Sequence, residues 1–397
     1  MTARRAIVWA ISVAGLLVPL LCASRAEAYT WMIRHGYSGC MPCHTDPSGG
    51  GPLTAYGRAQ GELLLQTRFG PPAEEASSLS GFAWGLVPLP DELRFGGDFR
   101  EAYFGQKLSG AKYADRLITM QADLFGDIKF HRFRAEGDIA YAPTGDLYAS
   151  ITNNPDKNII TRDHWLGYEL DEDASWLLRA GRITLPFGIR AIEHTLFARD
   201  LTRTDIDRWQ QYGLALSVSK ERFRGELMGI VGNFQIRPDD YRERGYSAFF
   251  EYALMNTFAV GASSLFTHAN IDVLASVANN RFANGLFVRY APLEQLVILA
   301  EGDSVYQSLS GTADHNGYAT FAQVDAEPLQ GLHVMATGEL MNSGGVSEPA
   351  SYSGWLSAVW FFWSHMDVRV DGVYQFLGTP VGTTQAPSLL LQYHVYL

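Results

Sequence analysis

From residue 92 to the C-terminus the chain repeats one pattern, with apolar side chains at every second position and polar or ionisable ones between. Ile118, Met120, Ala122 and Leu124 alternate with Thr119, Gln121 and Asp123. Phe133, Ala135, Gly137, Ile139 and Tyr141 alternate with Arg132, Arg134, Glu136 and Asp138. Leu332, Val334, Ala336, Gly338 and Leu340 alternate with His333, Met335, Thr337 and Glu339. Met366, Val368, Val370 and Tyr374 alternate with Asp367, Arg369, Asp371 and Gln375, and Leu389, Leu391, Tyr393, Val395 and Leu397 carry the pattern to the terminus. Period two with one apolar face is a β-strand. A membrane barrel turns that face to lipid and the polar face to its lumen. A soluble sandwich alternates in the same way, so alternation does not choose between them.

Connection lengths do choose. Sixteen candidate strands start near residues 92, 117, 132, 161, 175, 211, 222, 245, 256, 281, 294, 316, 331, 352, 365 and 387. The links alternate between short ones, such as His131, Lys220-Glu221, Met255 and Ser364, and long ones around residues 105–116, 143–160, 186–210, 232–244, 267–280, 308–315, 342–351 and 377–386. Short periplasmic turns alternating with longer extracellular loops predict an all-β transmembrane barrel of about 16 antiparallel strands in a bacterial outer membrane. An even strand count puts both barrel ends on the periplasmic side.

Composition agrees. The chain has 19 Tyr, 22 Phe and 9 Trp, with 39 Gly. No stretch after residue 28 is apolar enough for a membrane helix. Residues 1–28 read as a signal peptide: Arg4 and Arg5, an apolar run from Ala6 to Cys22, then the small-x-small site Ala26-Glu27-Ala28. Its loss leaves 28 basic and 41 acidic residues, a net charge of −13 that excludes a nucleic-acid partner. Three segments result: 1–28 signal peptide, 29–91 a small helical domain and linker, and 92–397 the barrel.

Two cysteines remain after residue 28, in Cys40-Met41-Pro42-Cys43-His44. This C-x-x-C-H spacing is a covalent haem c attachment site. The thiols of Cys40 and Cys43 add to the haem vinyl groups, and His44 follows directly as the proximal ligand of the iron. A thioredoxin-type dithiol wants a βαβ context that is absent, and zinc wants further cysteines. Met32 and His35 are the candidates for the sixth ligand, with an open site as the alternative. Histidines at lumen positions or short turns (His131, His333, His365, His394) read as polar wall residues. The Gly49-Gly50-Gly51 run lets backbone pass close to a flat cofactor. Leu53 to Phe69 reads as a short helix covering it.

The haem motif, preceded by Arg34-His35-Gly36-Tyr37-Ser38-Gly39 and followed by Leu53-Thr54-Ala55-Tyr56-Gly57-Arg58, resembles that of fused monohaem cytochrome–porins. The resemblance implies a small N-terminal c-type cytochrome joined to an outer-membrane barrel, with Cys40, Cys43 and His44 holding the haem. It implies electron transfer from an extracellular donor such as Fe(II) to periplasmic c-type cytochromes. No iron-binding motif carries over.

A second segment, Gly181-Arg182-Ile183-Thr184-Leu185-Pro186-Phe187-Gly188, is similar to one at a strand end in bacterial porins. The loop after it holds Arg190, Arg199, Arg203 and Arg208 with Glu193, Asp200, Asp205 and Asp207. In porins the third loop often narrows the pore; a solvated surface loop with weak ion pairs is the other reading. The expected function is an outer-membrane electron conduit using one haem, an electron carrier rather than a classical enzyme. The alternative is a diffusion porin with an appended periplasmic haem module, and a haem peroxidase is a third class. Residues 29–91 are few enough to tuck into the lumen as a plug.

Overall fold

The computed structural model describes residues 29–37, 39–69, 74–146, 149–151, 157–193, 195–233, 242–345 and 348–397; the expected signal peptide over residues 1–28 lies outside them. The strands are β1 Leu93–Gln106, β2 Ala114–Phe130 and β3 Phe133–Tyr141, then β4 in two pieces, Ile159–Ile160 and His164–Glu169. Both pieces pair with β3, so they make one broken strand. The next four are β5 Trp176–Ile183, β6 Gln211–Ser219, β7 Phe223–Gly232 and β8 Glu243–Met255. They are followed by β9 Phe258–Ala269, β10 Asn279–Leu293, β11 Leu296–Leu309 and β12 His315–Leu329. The last four are β13 Leu332–Asn342, β14 Ser351–Trp363, β15 Met366–Thr379 and β16 Gly382–Tyr396.

Every neighbouring pair is antiparallel, and β1 pairs with β16, Asp98 opposite Tyr396 and Gln106 opposite Ser388. The sheet is therefore closed, with 16 strands among the described residues. Closure is what a bilayer demands, because an open edge would leave N–H and C=O groups without partners in hydrocarbon. Leu124, Leu166, Leu286 and Leu356 lie on the outward face, while Asp123, Trp165, Phe287 and Trp355 beside them point inward and are buried. This apolar exterior is that of a bacterial outer-membrane barrel.

The strand starts fall where the alternation places them, and the short and long links alternate as expected. The last link is the exception. The expected loop over 377–386 shrinks to Pro380 and Val381, because β15 and β16 run on through glycine and threonine to pair Thr379 with Gly382. There the Thr379 hydroxyl donates to the Gly382 carbonyl at 2.8 Å.

The second difference changes the lumen. On β2 the pattern reads Ile118 and Met120 as lipid-facing, yet both line an internal cavity. Arg100 pairs with Gln121 but Glu101 pairs with Thr119, so β2 carries one extra residue there. A β-bulge of one residue inverts every later side chain. Gln121 and Asp123 face inward below it; Ile118 and Arg116 face inward above it, and Leu117 turns out to lipid.

The lumen is filled from both ends. Residues 29–37 and 39–69 occupy the half nearer the short turns, and residues 77–87 lie across that mouth, where Trp84 Nε1 donates to the Ser364 carbonyl at 3.0 Å. The described parts of the third long loop, 184–193 and 195–210, fold inward and carry helix α2, Phe197–Thr202. Trp31, Met32, Ile33 and Leu65 of the N-terminal segment, Ile189 and Leu196 of the loop, and Phe287, Val297, Phe321 and Phe361 of the wall form one apolar cluster. The lumen face is thus not uniformly polar, because part of it serves as a packed core.

These placements predict the accessibility of the loops. An epitope inserted at Thr144-Gly145, in a long link, is reached by antibody on intact cells, and one at Glu172-Asp173, in a short turn, is not. An epitope at Ala198, inside the third long loop, is also not reached. Staining at Glu172-Asp173 with none at Thr144-Gly145 would invert the topology.

Candidate functional site

A 3₁₀ turn over Thr30–His35 buries Trp31, Met32, Ile33 and Arg34 against the wall. Arg34 pairs with Glu327 at 2.7 Å and with Asp325, both on β12, and its side chain is wholly buried. Gly39 to His44 then forms the turn that carries the cysteines. Cys43 and His44 both donate their backbone N–H to the Cys40 carbonyl, at 3.2 and 2.9 Å. One helical turn thereby brings Cys40 and His44 to one face with Cys43 beside them.

Two contacts hold this turn. Thr54 donates its backbone N–H to the Cys43 carbonyl at 2.9 Å, and its hydroxyl caps helix α1, Ala55–Gln60, by accepting from Gly57 at 3.0 Å. Helix and turn lie so close that a Cβ on Gly57 would sit 2.2 Å from the Cys43 carbonyl oxygen. The expected helix over Leu53 to Phe69 is shorter, α1 passing into a π turn at Gly61–Leu65. The glycine run curls back over the cysteines, with Gly51 at a φ of 70° against Glu136 and Thr45.

Asp46, two residues after His44, fixes the turn to the wall. It accepts from Trp165 Nε1 at 2.8 Å and pairs with Arg179, which also pairs with Glu226. Arg190 of the inward loop donates to the Pro47 carbonyl at 3.0 Å and to Glu226 at 3.1 Å, joining loop, plug and wall. Several of the loop charges are thus seated against the wall rather than solvated, while Asp200 and Arg208 stay exposed. Arg199 pairs with Glu301, Arg203 with Asp272 at 2.8 Å, and Glu193 with Arg369 at 3.0 Å.

Cys40, Cys43, His44 and Met32 open onto one cleft between plug and wall, enclosing about 1740 Å³ of space that is partly open to solvent. Neither cysteine is in a disulfide, and Arg224 donates to the Cys40 sulfur at 3.5 Å. His44 Nδ1 is sealed from solvent with no hydrogen-bond partner. Burial pushes the His44 imidazole down to a pKa of about 4, against the pull of Asp46 and of the Gly50 and Gly51 backbone, so the ring is neutral at pH 7. Two thiols outside any disulfide, a neutral imidazole and glycine backbone around one cleft fit the donor set of a covalent haem.

Of the two distal candidates, Met32 lines this cleft. His35 does not; it lies at the end of the 3₁₀ turn, edge-on to Tyr37 at 6.3 Å. His394, read as a wall residue, lines the cleft too, but both its nitrogens are engaged, Nδ1 with Asp367 at 2.7 Å and Nε2 with Asp98 at 2.9 Å. The clamp of Asp46, Trp165, Arg179 and Glu226 has no signature in the chain order. Its one trace is a pair of arginines, Arg179 and Arg182, in an otherwise apolar β5. Among the described residues no group of three or more His, Cys, Asp or Glu side chains is arranged to hold a bare metal ion.

Two substitutions test the anchoring. Arg34→Met takes from Asp325 and Glu327 the cation they share, leaving them His333 and the Gly331 N–H, a loss of up to about 3–5 kcal/mol that falls on the plug and not on the barrel. Protease then removes the N-terminal segment while the barrel keeps its heat-modifiable migration in detergent gels. Gly57→Ala, forced against the Cys43 carbonyl, costs about 1–3 kcal/mol in the same proteolysis assay. Equal protection of both variants and the parent would contradict this packing.

No protein-family model matches the chain, and no curated protein is similar to it in sequence. Solved structures match the fold. An anion-selective porin from Comamonas acidovorans gives a TM-score of 0.58 at 9% identity, over 77% of this chain and 99% of that one. A loop-deletion mutant of OmpT, an outer membrane protein of Vibrio cholerae, gives 0.55 at 11% identity, over 77% and 99%. The outer membrane channel DcaP of Acinetobacter baumannii gives 0.54 at 12% identity, over 77% and 97%. At such identities the likeness establishes the fold, a porin-type outer-membrane barrel.

Proposed function

We propose that this chain is a plugged outer-membrane barrel that carries one covalent haem c inside its lumen and uses it to pass electrons between an extracellular partner and a periplasmic c-type cytochrome. The observation that carries this reading is the position of Cys40, Cys43 and His44. They face a cleft between plug and wall within the barrel, and do not sit on a domain suspended outside it.

The chain's own residues divide the work. Cys40 and Cys43 would supply the two thiols that hold the haem, His44 a neutral imidazole for its iron, and Met32 a thioether sulfur from the same cleft. Bound there, the haem supplies a one-electron redox centre. Arg34, Asp46 and Arg190 hold the plug in register, and the inward loop excludes bulk water from the apolar side of the cleft. The apolar belt outside insulates over about 25 Å, so electrons cross only with a cofactor inside. Fe(II) is the extracellular donor that the resemblance implies.

A second reading is favoured by the structural neighbours, among them a porin and a channel, and by a cavity of about 1290 Å³, partly open to solvent, beside the plug. On that reading the barrel passes solutes. One set of measurements separates the two. The purified protein retains haem stain after denaturation and gains the mass of one haem, and Cys40→Ala with Cys43→Ala abolishes both. In proteoliposomes an impermeant external reductant reduces an enclosed acceptor, and His44→Ala slows this without altering the barrel's migration. Large open-channel currents with no reduction inside would replace the conduit by a diffusion porin.

A further inference from the structure

The cavity beside the plug runs along the inner face of β1, β2, β15 and β16. Its far end, at Phe104, Arg116 and Ser388, lies towards the long loops, and its near end, at Asp367 and His394, lies towards the short turns. Tyr29, Arg100, Ile192 and His394 line both this cavity and the cysteine cleft, so the two adjoin.

Its chemistry is lopsided. The carboxylates are all committed: Asp367 accepts from His394 at 2.7 Å, Asp371 accepts from Arg369 at 2.8 Å and from Gln392, and Glu193 pairs with Arg369. Two of the cations are not. Among the described residues Arg100 has one ion pair, with Asp98 at 3.4 Å, with Asp207 and Asp367 farther off, and its buried Nε makes no hydrogen bond. Arg116, exposed at the far end, lies over the Phe104 ring at 5.9 Å. Between them Trp355, Val359, Val373 and Leu390 give the wall an apolar stretch, and the β2 bulge adds Ile118 and Met120 to it by turning both inward.

We infer that this vestibule is a binding site for a small amphipathic organic anion, its flat apolar part between Ile118 and Trp355 and its acidic group at Arg100 or Arg116. A bare divalent cation does not suit it, because no lining carboxylate is free to coordinate one. A molecule held here lies beside the cleft of the proposed haem, and in that respect alone the inference rests on that reading.

The test uses the full-length protein in detergent, titrated with naphthalene-2-sulfonate and followed by calorimetry and tryptophan fluorescence. Saturable one-to-one binding is expected, with the neutral naphthalene-2-methanol weaker by about tenfold or more for want of the charge-assisted bond. Arg100→Gln and Arg116→Gln together remove that preference. Val373→Trp and Ile118→Trp fill the vestibule and abolish binding, with migration in detergent gels confirming the barrel for each. Manganese(II) gives no saturable signal. Absence of binding by the parent, equal affinity for the neutral molecule, unchanged binding in both filled variants or tight manganese binding overturns the inference. The Cys40→Ala, Cys43→Ala variant still binds the sulfonate, so a failure of the haem assignment is read separately.

Discussion

A backbone amide inside hydrocarbon has no water to bond, and the rest of this molecule follows from that constraint. It forces the sixteen strands to close, with β1 against β16, and leaves no free edge within the bilayer. Closure in turn creates an interior. Since side chains alternate, each strand that satisfies lipid on one face must present its other face to the lumen. A lumen that wide does not fill itself with wall side chains, so something else must occupy it or it stays wet.

Here two segments of the same chain occupy it, and charge fixes their positions. Arg34 against Asp325 and Glu327, Asp46 against Arg179, and Arg199 against Glu301 are pairs buried between a lumen insert and the wall. Buried pairs of this kind contribute little net stability, but each is costly to leave half-made, and so they select one seating over all others. The apolar cluster of Trp31, Ile33, Ile189, Phe321 and Phe361 supplies the attraction that the ion pairs only orient. The seating matters because it sets where Cys40, Cys43 and His44 face. A turn that hydrogen-bonds only to itself would display the same motif anywhere.

The β2 bulge shows how one residue redirects a surface. Had the strand kept strict alternation, Thr119 and Leu117 would have lined the lumen, and Ile118 would have met lipid. The extra residue instead gives the upper half of this wall an apolar interior beside two under-used arginines, which is why the space left by the plug has a distinct chemistry.

The sequence by itself determined the fold class, the strand count, the alternating link lengths except the last, and the inward-facing rows outside the upper half of β2, because a period of two and turn chemistry are local properties. It determined the spacing of Cys40, Cys43 and His44 as well, since that donor set lies within five residues. Only the tertiary structure decided that the N-terminal segment enters the lumen, that the third long loop folds in to meet it, and that Met32 and not His35 lines the cleft. Each of these depends on partners far apart in the chain, as Asp46 is from Arg179 and Arg34 from Asp325. It also decided the bulge in β2 and the tight turn at Pro380-Val381. A one-residue slip in register, or two more rungs in a ladder, is set by pairing with a neighbouring strand, and no single strand carries that information.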